Sequence, residues 1–237
     1  MEFHFLQTED GSPSLKLGLE AEAMHSSKGA FSETVYIYGN AISATLAGGL
    51  APSFLSLGLG LGYNELLTTA LLLQSEIDLS KVRGESYELV SELNENFKAW
   101  LNDGVINEKF KNTYAQIVNL CAQYSNQEPQ VIKTTLAELV RKGQWILHGP
   151  ITHEVKTSHK ISCFLFDAFS SKTSPELWTE EFITSFLKST AAERAVLATY
   201  ACTGTLKRGL QRNGFAVTIR EGFAGKREST FASRGMT

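Results

Sequence analysis

The sequence predicts an α/β fold: an open, doubly wound sheet, mostly parallel, that ends in an antiparallel hairpin. Three observations predict it. Short apolar segments alternate along the chain with longer segments whose apolar residues recur at helical spacing, and that alternation builds a parallel sheet covered on both faces. Residues 163–166, in KISCFLFDAF, form an unbroken apolar run, as a strand buried on both faces requires. The last two strand-like segments, FAVTIREGF and KRESTFASR, are joined only by residues 222–225. Such a link closes an antiparallel pair, because a parallel crossover needs about a dozen residues.

The elements follow in order. FHFLQTEDGSPSLKLG reads as two short strands around an Asp-Gly turn. ETVYIYGNAIS is expected to begin as a strand and to end at Gly39 and Asn40. PSFLSLGLG is a short apolar strand running into glycines, and NELLTTALLLQS is the helix after it. KVRGE is a weak strand. In YELVSELNENFKAWL, Leu89, Leu93, Phe97 and Leu101 share one helical face, and Asp103 with Gly104 ends the helix. NEKFKNTYAQIVNLCAQY and TTLAELVRKG are further helices, and QWILHG is a strand. PELWTEEFITSFLKS starts with Pro175 in its first turn and carries its acids early, as helix starts prefer. AVLATYA is a strand, and LKRGLQRNG is a helix closed by Gly214. No repeat or low-complexity linker interrupts the series, so residues 1–237 read as one domain, with a short β segment over about residues 1–30.

With 237 residues, 43% apolar and 20% charged, the chain can bury one sizeable core. A net charge of −3 excludes a uniformly basic nucleic-acid binder, but the charge is uneven. The stretch from Thr205 onward carries a net +5, and the first 204 residues carry −8. The basic end could face a polyanion, although a solvated surface explains it as well. Cys121, Cys163 and Cys202 are odd in number and form no CxxC. No disulfide framework or metal site is expected, the setting reads as cytoplasmic, and Cys163 reads as a core residue. The N-terminus lacks the basic and apolar regions of a signal peptide. Residues 34–64 hold no charge, but six glycines and Pro52 break them up, well short of the roughly 20 apolar residues of a membrane span.

Candidate site residues begin with SLGLGLGYNE. Gly58, Gly60 and Gly62 follow a strand and precede a helix, so the backbone can approach a ligand while the helix N-terminus points at it. A dinucleotide fingerprint would place its third glycine at position 63, which is Tyr63. The G-x-G-x-G spacing suits S-adenosylmethionine better, since that cofactor has no pyrophosphate to cradle. A tight turn in an apolar core is the plainer alternative. An acid at the end of the next strand accepts hydrogen bonds from ribose hydroxyls in doubly wound folds. Glu85, 23 residues beyond Gly62, is the expected one, and Glu88 competes with it. Asp167 closes the strongest strand on the same carboxyl edge, where it could hold a substrate amine or accept its proton. It could equally cap the loop that follows.

Strands, glycine turn and closing hairpin together resemble a class I, Rossmann-like methyltransferase. SLGLGLGYNELL, GESYEL, LFDAFSSKTSPELWTEEF, LATYACTGTLKRGLQRNGF and EGFAGKRE, in this order, resemble the methyltransferase domain of the MnmC family, and residues 24–38 look like its lead-in segment. Gly58, Gly60, Gly62 and Asn64 match its glycine motif, with Ser56 where an acid is usual. Glu85 matches its ribose-side acid. Asp167, Ala168, Phe169, Ser170, Pro175, Leu177 and Trp178 match its Asp-x-Phe-Ser block, with Ser171 in place of a proline. Thr199, Tyr200, Gly225, Lys226, Arg227 and Glu228 match its closing motifs. Where the family carries Gly-Asp-Ala near the adenine, this chain has Gly149, Pro150 and Ile151, and His148 or backbone groups would have to compensate.

The resemblance implies N-methylation of the 5-aminomethyl group on the wobble uridine of tRNA, in the type of chain that has no flavin oxidase domain. It implies S-adenosylmethionine held at Gly58, Gly60, Gly62, Asn64 and Glu85, with Asp167 as the catalytic residue. It further implies Phe169, Trp178 and Tyr200 around the flipped base, Lys226 and Arg227 on tRNA, and a monomeric enzyme with no membrane partner. Two other readings stay open: a methyltransferase of the same fold acting on another amine, and a cofactor-binding module without turnover.

Overall fold

A computed structural model of the chain describes residues 2–18, 23–152, 155–225 and 228–236. Strands β1 (Phe3–Gln7) and β2 (Pro13–Leu17) pair antiparallel in a small sheet of their own. Next comes a helical stretch made of α1 (Ala30–Thr34), one π turn (Val35–Gly39) and α2 (Asn40–Ala47). This corrects the strand expected for ETVYIYGNAIS. The segment is rich in β-branched and aromatic residues, but Ala30, Thr34, Ile37, Tyr38, Ala41, Ile42 and Thr45 are among its buried positions. Their spacing of three and four is a helical face, and α2 lays that face on the sheet; packing overrides a weak local propensity.

The main elements then follow: β3 (Ser53–Leu57), α3 (Tyr63–Gln74), β4 (Arg83–Tyr87), α4 (Ser91–Leu101), α5 (Glu108–Ser125), α6 (Pro129–Arg141), β5 (Trp145–His148), β6 (Ile161–Phe166), α7 (Glu180–Thr190), β7 (Ala191–Thr199), α8 (Gly204–Arg212), β8 (Ala216–Glu221) and β9 (Glu228–Arg234). Among the described residues seven strands form one sheet in the order β5-β4-β3-β6-β7-β9-β8. The first five run parallel, and β9 inserts antiparallel between β7 and β8. The expected terminal hairpin is therefore present.

Both faces of the sheet are dry. Phe54, Cys163, Leu165, Val196 and Ala198 join the cluster on one face, and Leu55, Leu57, Phe164, Phe166 and Leu197 join the cluster on the other. Alternate residues of one strand thus serve opposite cores, which is why β3 and β6 are buried along their whole length and mostly apolar. In PELWTEEF the helix expected from Pro175 is split. Pro175–Trp178 makes one 3-10 turn, and α7 starts afresh where the Thr179 hydroxyl accepts from the Phe182 N–H. Strand β4 also runs two residues further than KVRGE suggests, which leaves Tyr87 in the strand and Leu89 56% exposed.

The chain leaves β3 toward β4 on one side and later returns to β6 on the other. That reversal opens a crevice beyond the carboxyl ends of β3 and β6, the place where open α/β sheets bind ligands.

Candidate active site

A cavity of about 340 Å³ occupies that crevice. The glycine turn after β3, the residues after β4, β5, β6 and β7, and the segment leading from β2 into α1 all contribute to its wall. Glu33, Glu88, Asp167 and Glu176 supply four carboxylates, and no lysine or arginine stands among its described lining residues. Such a cavity favours a cation and disfavours a phosphate. Among the described residues no helix is long and apolar enough to cross a membrane.

All three predicted glycines have positive φ, at 102°, 52° and 76°, a region open to glycine without a steric penalty. Their tasks differ. A side chain on Gly58 would run into the Asp167 carbonyl, so this glycine lets the β3 and β6 loops close together. Gly60 lines the cavity, and nothing but the Met24 sulfur lies within 4 Å of where its Cβ would be. Gly62 packs on the ring of Phe97, caps α3 in the left-handed conformation and does not line the cavity. Asn64, in the first turn of α3, does line it; its Oδ1 is buried with no partner.

The two candidate acids, Glu85 in β4 and Glu88 just past it, separate: Glu85, the expected one, does not line the cavity, and Glu88 does. Glu85 lies inside the strand. Its carboxylate accepts from the Ser158 N–H at 3.0 Å and the Tyr87 hydroxyl at 3.0 Å, and it meets His148 Nε2 at 3.1 Å. Burial works against its charge, but these partners outweigh burial and hold its pKa low. Glu88, one residue past the strand, lines the cavity. It accepts from the Gly60 N–H at 2.8 Å and from the Val90 N–H at 2.7 Å, so it braces the glycine turn from across the crevice. Burial raises its pKa despite those bonds. Of these two acids, Glu88 is the one that lines the cavity.

Asp167 stands where the sequence puts it, at the carboxyl end of β6 and in the cavity wall. The Tyr38 hydroxyl donates to its Oδ1 at 2.6 Å, and Asn64 Nδ2 donates to its Oδ2 at 3.1 Å. Burial pushes its pKa up to about 8. Those two hydrogen bonds pull the other way, and the Glu33 and Glu65 charges add to the rise.

Phe169 and Tyr200 line the cavity as expected, with the Tyr200 hydroxyl donating to the Ala168 carbonyl at 2.9 Å. Trp178 does not line it. The indole is 5% exposed, packs edge-on against Phe166 and Tyr200, and donates to the Phe169 carbonyl at 2.7 Å. It buttresses the loop that presents Phe169 rather than offering a face to a base. Pro150 lines the cavity, whereas His148 stacks on Tyr87 beside Glu85. Lys226 and Arg227 lie outside the described residues.

Sequence reasoning missed the wall made by His25, Ser26, Glu33, Thr34 and Tyr38. The Ser26 N–H donates to Glu33 at 2.7 Å, and His25 meets the Ser14 hydroxyl at 3.1 Å. The resemblance marks residues 24–38 as a lead-in segment, but nothing in composition or spacing singles out these side chains.

The arrangement fits S-adenosylmethionine. Glu88 follows the second parallel strand, where such folds carry an acid suited to ribose hydroxyls, Gly60 allows close backbone approach, and the Asn64 oxygen, without a partner among the described residues, can accept from an ammonium group. Residues 144–235 match a family described as S-adenosyl-L-methionine-dependent methyltransferase. An uncharacterized protein of Methanocaldococcus jannaschii is 26% identical over 227 residues, covering 96% of this chain and 58% of that protein. The tRNA 5-methylaminomethyl-2-thiouridine biosynthesis bifunctional protein MnmC of Paraburkholderia phymatum is 28% identical, over 86% of this chain and 31% of its own length. The chain thus spans between about a third and three fifths of these relatives. The crystal structure of MNMC2 from Aquifex aeolicus superposes with a TM-score of 0.68 at 22% identity, covering 100% of this chain and 72% of that one. The fold, the cavity and the matched segment agree: the chain is similar to S-adenosylmethionine-dependent methyltransferases, MnmC among them.

Proposed function

We propose that the chain methylates the amino nitrogen of a 5-aminomethyl group on the wobble uridine of tRNA. The observation that carries this reading is the acid-lined cavity with Asp167 in its wall: a carboxylate beside the glycine turn is suited to a cationic amine acceptor. When bound, S-adenosylmethionine supplies a methyl group on a positively charged sulfur. Glu88, Gly58, Gly60 and Asn64 would hold it.

The acceptor arrives largely as an ammonium, which has no lone pair to attack with. Asp167 would fix it by a charge-assisted hydrogen bond and take one proton on a carboxylate oxygen. The freed nitrogen pair forms the C–N bond as the C–S bond breaks with its pair going to sulfur. Because the transfer is an in-line displacement, holding both partners in register does most of the work. Phe169 and Tyr200 offer the faces against which a flipped base could stack. Lys207, Arg208 and Arg212 on α8, with Lys226 and Arg227 nearby in sequence, would meet tRNA phosphates. A tRNA substrate would place the enzyme in the cytoplasm.

The test is methyl transfer from labelled S-adenosylmethionine. One arm uses tRNA bearing aminomethyl-uridine from cells that lack the last step, and the other an unmodified transcript. Label on the first alone supports the reading. Cofactor binding with label on neither tRNA overturns it and favours a small amine as acceptor, which the same acidic cavity would also admit.

A further inference from the structure

We propose that Tyr38 is a positioning residue for methyl transfer: its hydroxyl fixes the orientation of the Asp167 carboxylate toward the acceptor amine and favours its ionised form over the protonated one. The proposal rests on the reading that Asp167 faces that amine. Tyr38 comes from the π turn between α1 and α2, a widened turn of a kind that recurs at functional sites. It is 2% exposed, and its hydroxyl reaches across 129 positions of sequence to Asp167 Oδ1.

Asn64, from α3, holds the other oxygen. Two donors from two separate helices therefore set the plane of the carboxylate, and each oxygen keeps an acceptor site for the cavity. Glu33 on α1 and Glu65 on α3 oppose its charge, and the Tyr200 hydroxyl donates to the Ala168 carbonyl. Burial and the Asp167 charge hold the Tyr38 phenol protonated, so it can only donate to the carboxylate. Tyr38 is therefore the closer of the two donors to the group that must lose its proton before it can take one.

The experiment uses Tyr38→Phe, which keeps the ring and removes the hydroxyl. Carbon-13 NMR of labelled aspartate carboxyls in cofactor-free protein follows Asp167, assigned by its loss in Asp167→Asn. Loss of a hydrogen bond to a charged group should raise the midpoint by about one pH unit or more. The acidic limb of kcat/KM should move up by the same amount, the rate at high pH should return to within about threefold of wild type, and S-adenosylmethionine affinity should stay within about twofold. An unmoved Asp167 titration, or a rate loss equal at every pH, would overturn the proposal. If Tyr38→Phe fails to fold, 3-fluorotyrosine placed at position 38 donates more strongly and should move both midpoints down. An Asp167 shift in a protein that methylates no tRNA would sink the substrate reading and leave the hold of Tyr38 on Asp167 standing.

Discussion

The Glu88 carboxylate receives the backbone N–H of Gly60 at 2.8 Å, joining the end of β4 to the glycine turn that follows β3. One side chain thereby shapes the turn and presents an acid to the cavity. Glu85, three residues earlier, is tied instead to Ser158, Tyr87 and His148. The two acids should behave differently when neutralised. Glu88→Gln should weaken S-adenosylmethionine binding about tenfold or more, the scale of a hydrogen bond to a charged group. Glu85→Gln should leave affinity within about twofold while lowering stability by about 1 kcal/mol. Titration calorimetry and thermal melts read both; equal loss of affinity in the two variants would contradict this division.

The glycines should also separate. Gly58→Ala forces a methyl group against the Asp167 carbonyl at a φ of 102°, so it should displace the Asp167 loop. A stability loss of about 2–3 kcal/mol with near-complete loss of turnover is expected. Gly60→Ala makes only an ordinary contact with the Met24 sulfur, at 3.7 Å, at a φ of 52° and should cost about 1 kcal/mol. Chemical denaturation of the two variants provides the comparison, and a Gly60→Ala cost as large as that of Gly58→Ala would refute it.

Methyl transfer should depend on the ionisation of Asp167. With its pKa pushed up to about 8, kcat/KM should climb as pH passes through that value, because only the carboxylate can take the amine proton. Asp167→Asn should reduce turnover by at least about a hundredfold and leave cofactor affinity largely intact. A flat pH profile from 6 to 9 in the wild type would remove Asp167 from the proton transfer.

Glu65 offers a stability test away from the transfer step. Its side chain is fully buried in the first turn of α3, takes one hydrogen bond from Ser86, and leaves Oε2 unpartnered. Burial raises its pKa from 4.5 to about 7. Between those values the folded chain binds more protons at this site than the unfolded chain does. The Glu65 contribution is therefore fully present below pH 4.5 and is lost as pH rises through about 7, a loss on the order of 3 kcal/mol. Glu65→Gln should melt several degrees higher than wild type at pH 8.5, with the difference vanishing near pH 4. A variant less stable than wild type at pH 8.5 would show that the charged form is satisfied in the fold.

Local sequence determined the alternation of strand and helix, the closing hairpin, the glycine turn and the place of Asp167. Each depends on signals a few residues long: an apolar run that only a doubly covered strand tolerates, a 3.6-residue period, or glycines between them. The acid of the cofactor edge was not settled that way. Glu85 and Glu88 differ only in where β4 ends, and a weakly apolar strand does not mark its own end; pairing with β3 and β5 carries it on to Tyr87. Tertiary structure likewise turned ETVYIYGNAIS into a helix, because packing against the sheet outweighed the strand propensity of its residues. The same packing set Trp178 behind the loop rather than in the cavity and brought Tyr38 to Asp167. These outcomes depend on which surfaces meet across long stretches of chain, and no short-range pattern encodes that meeting.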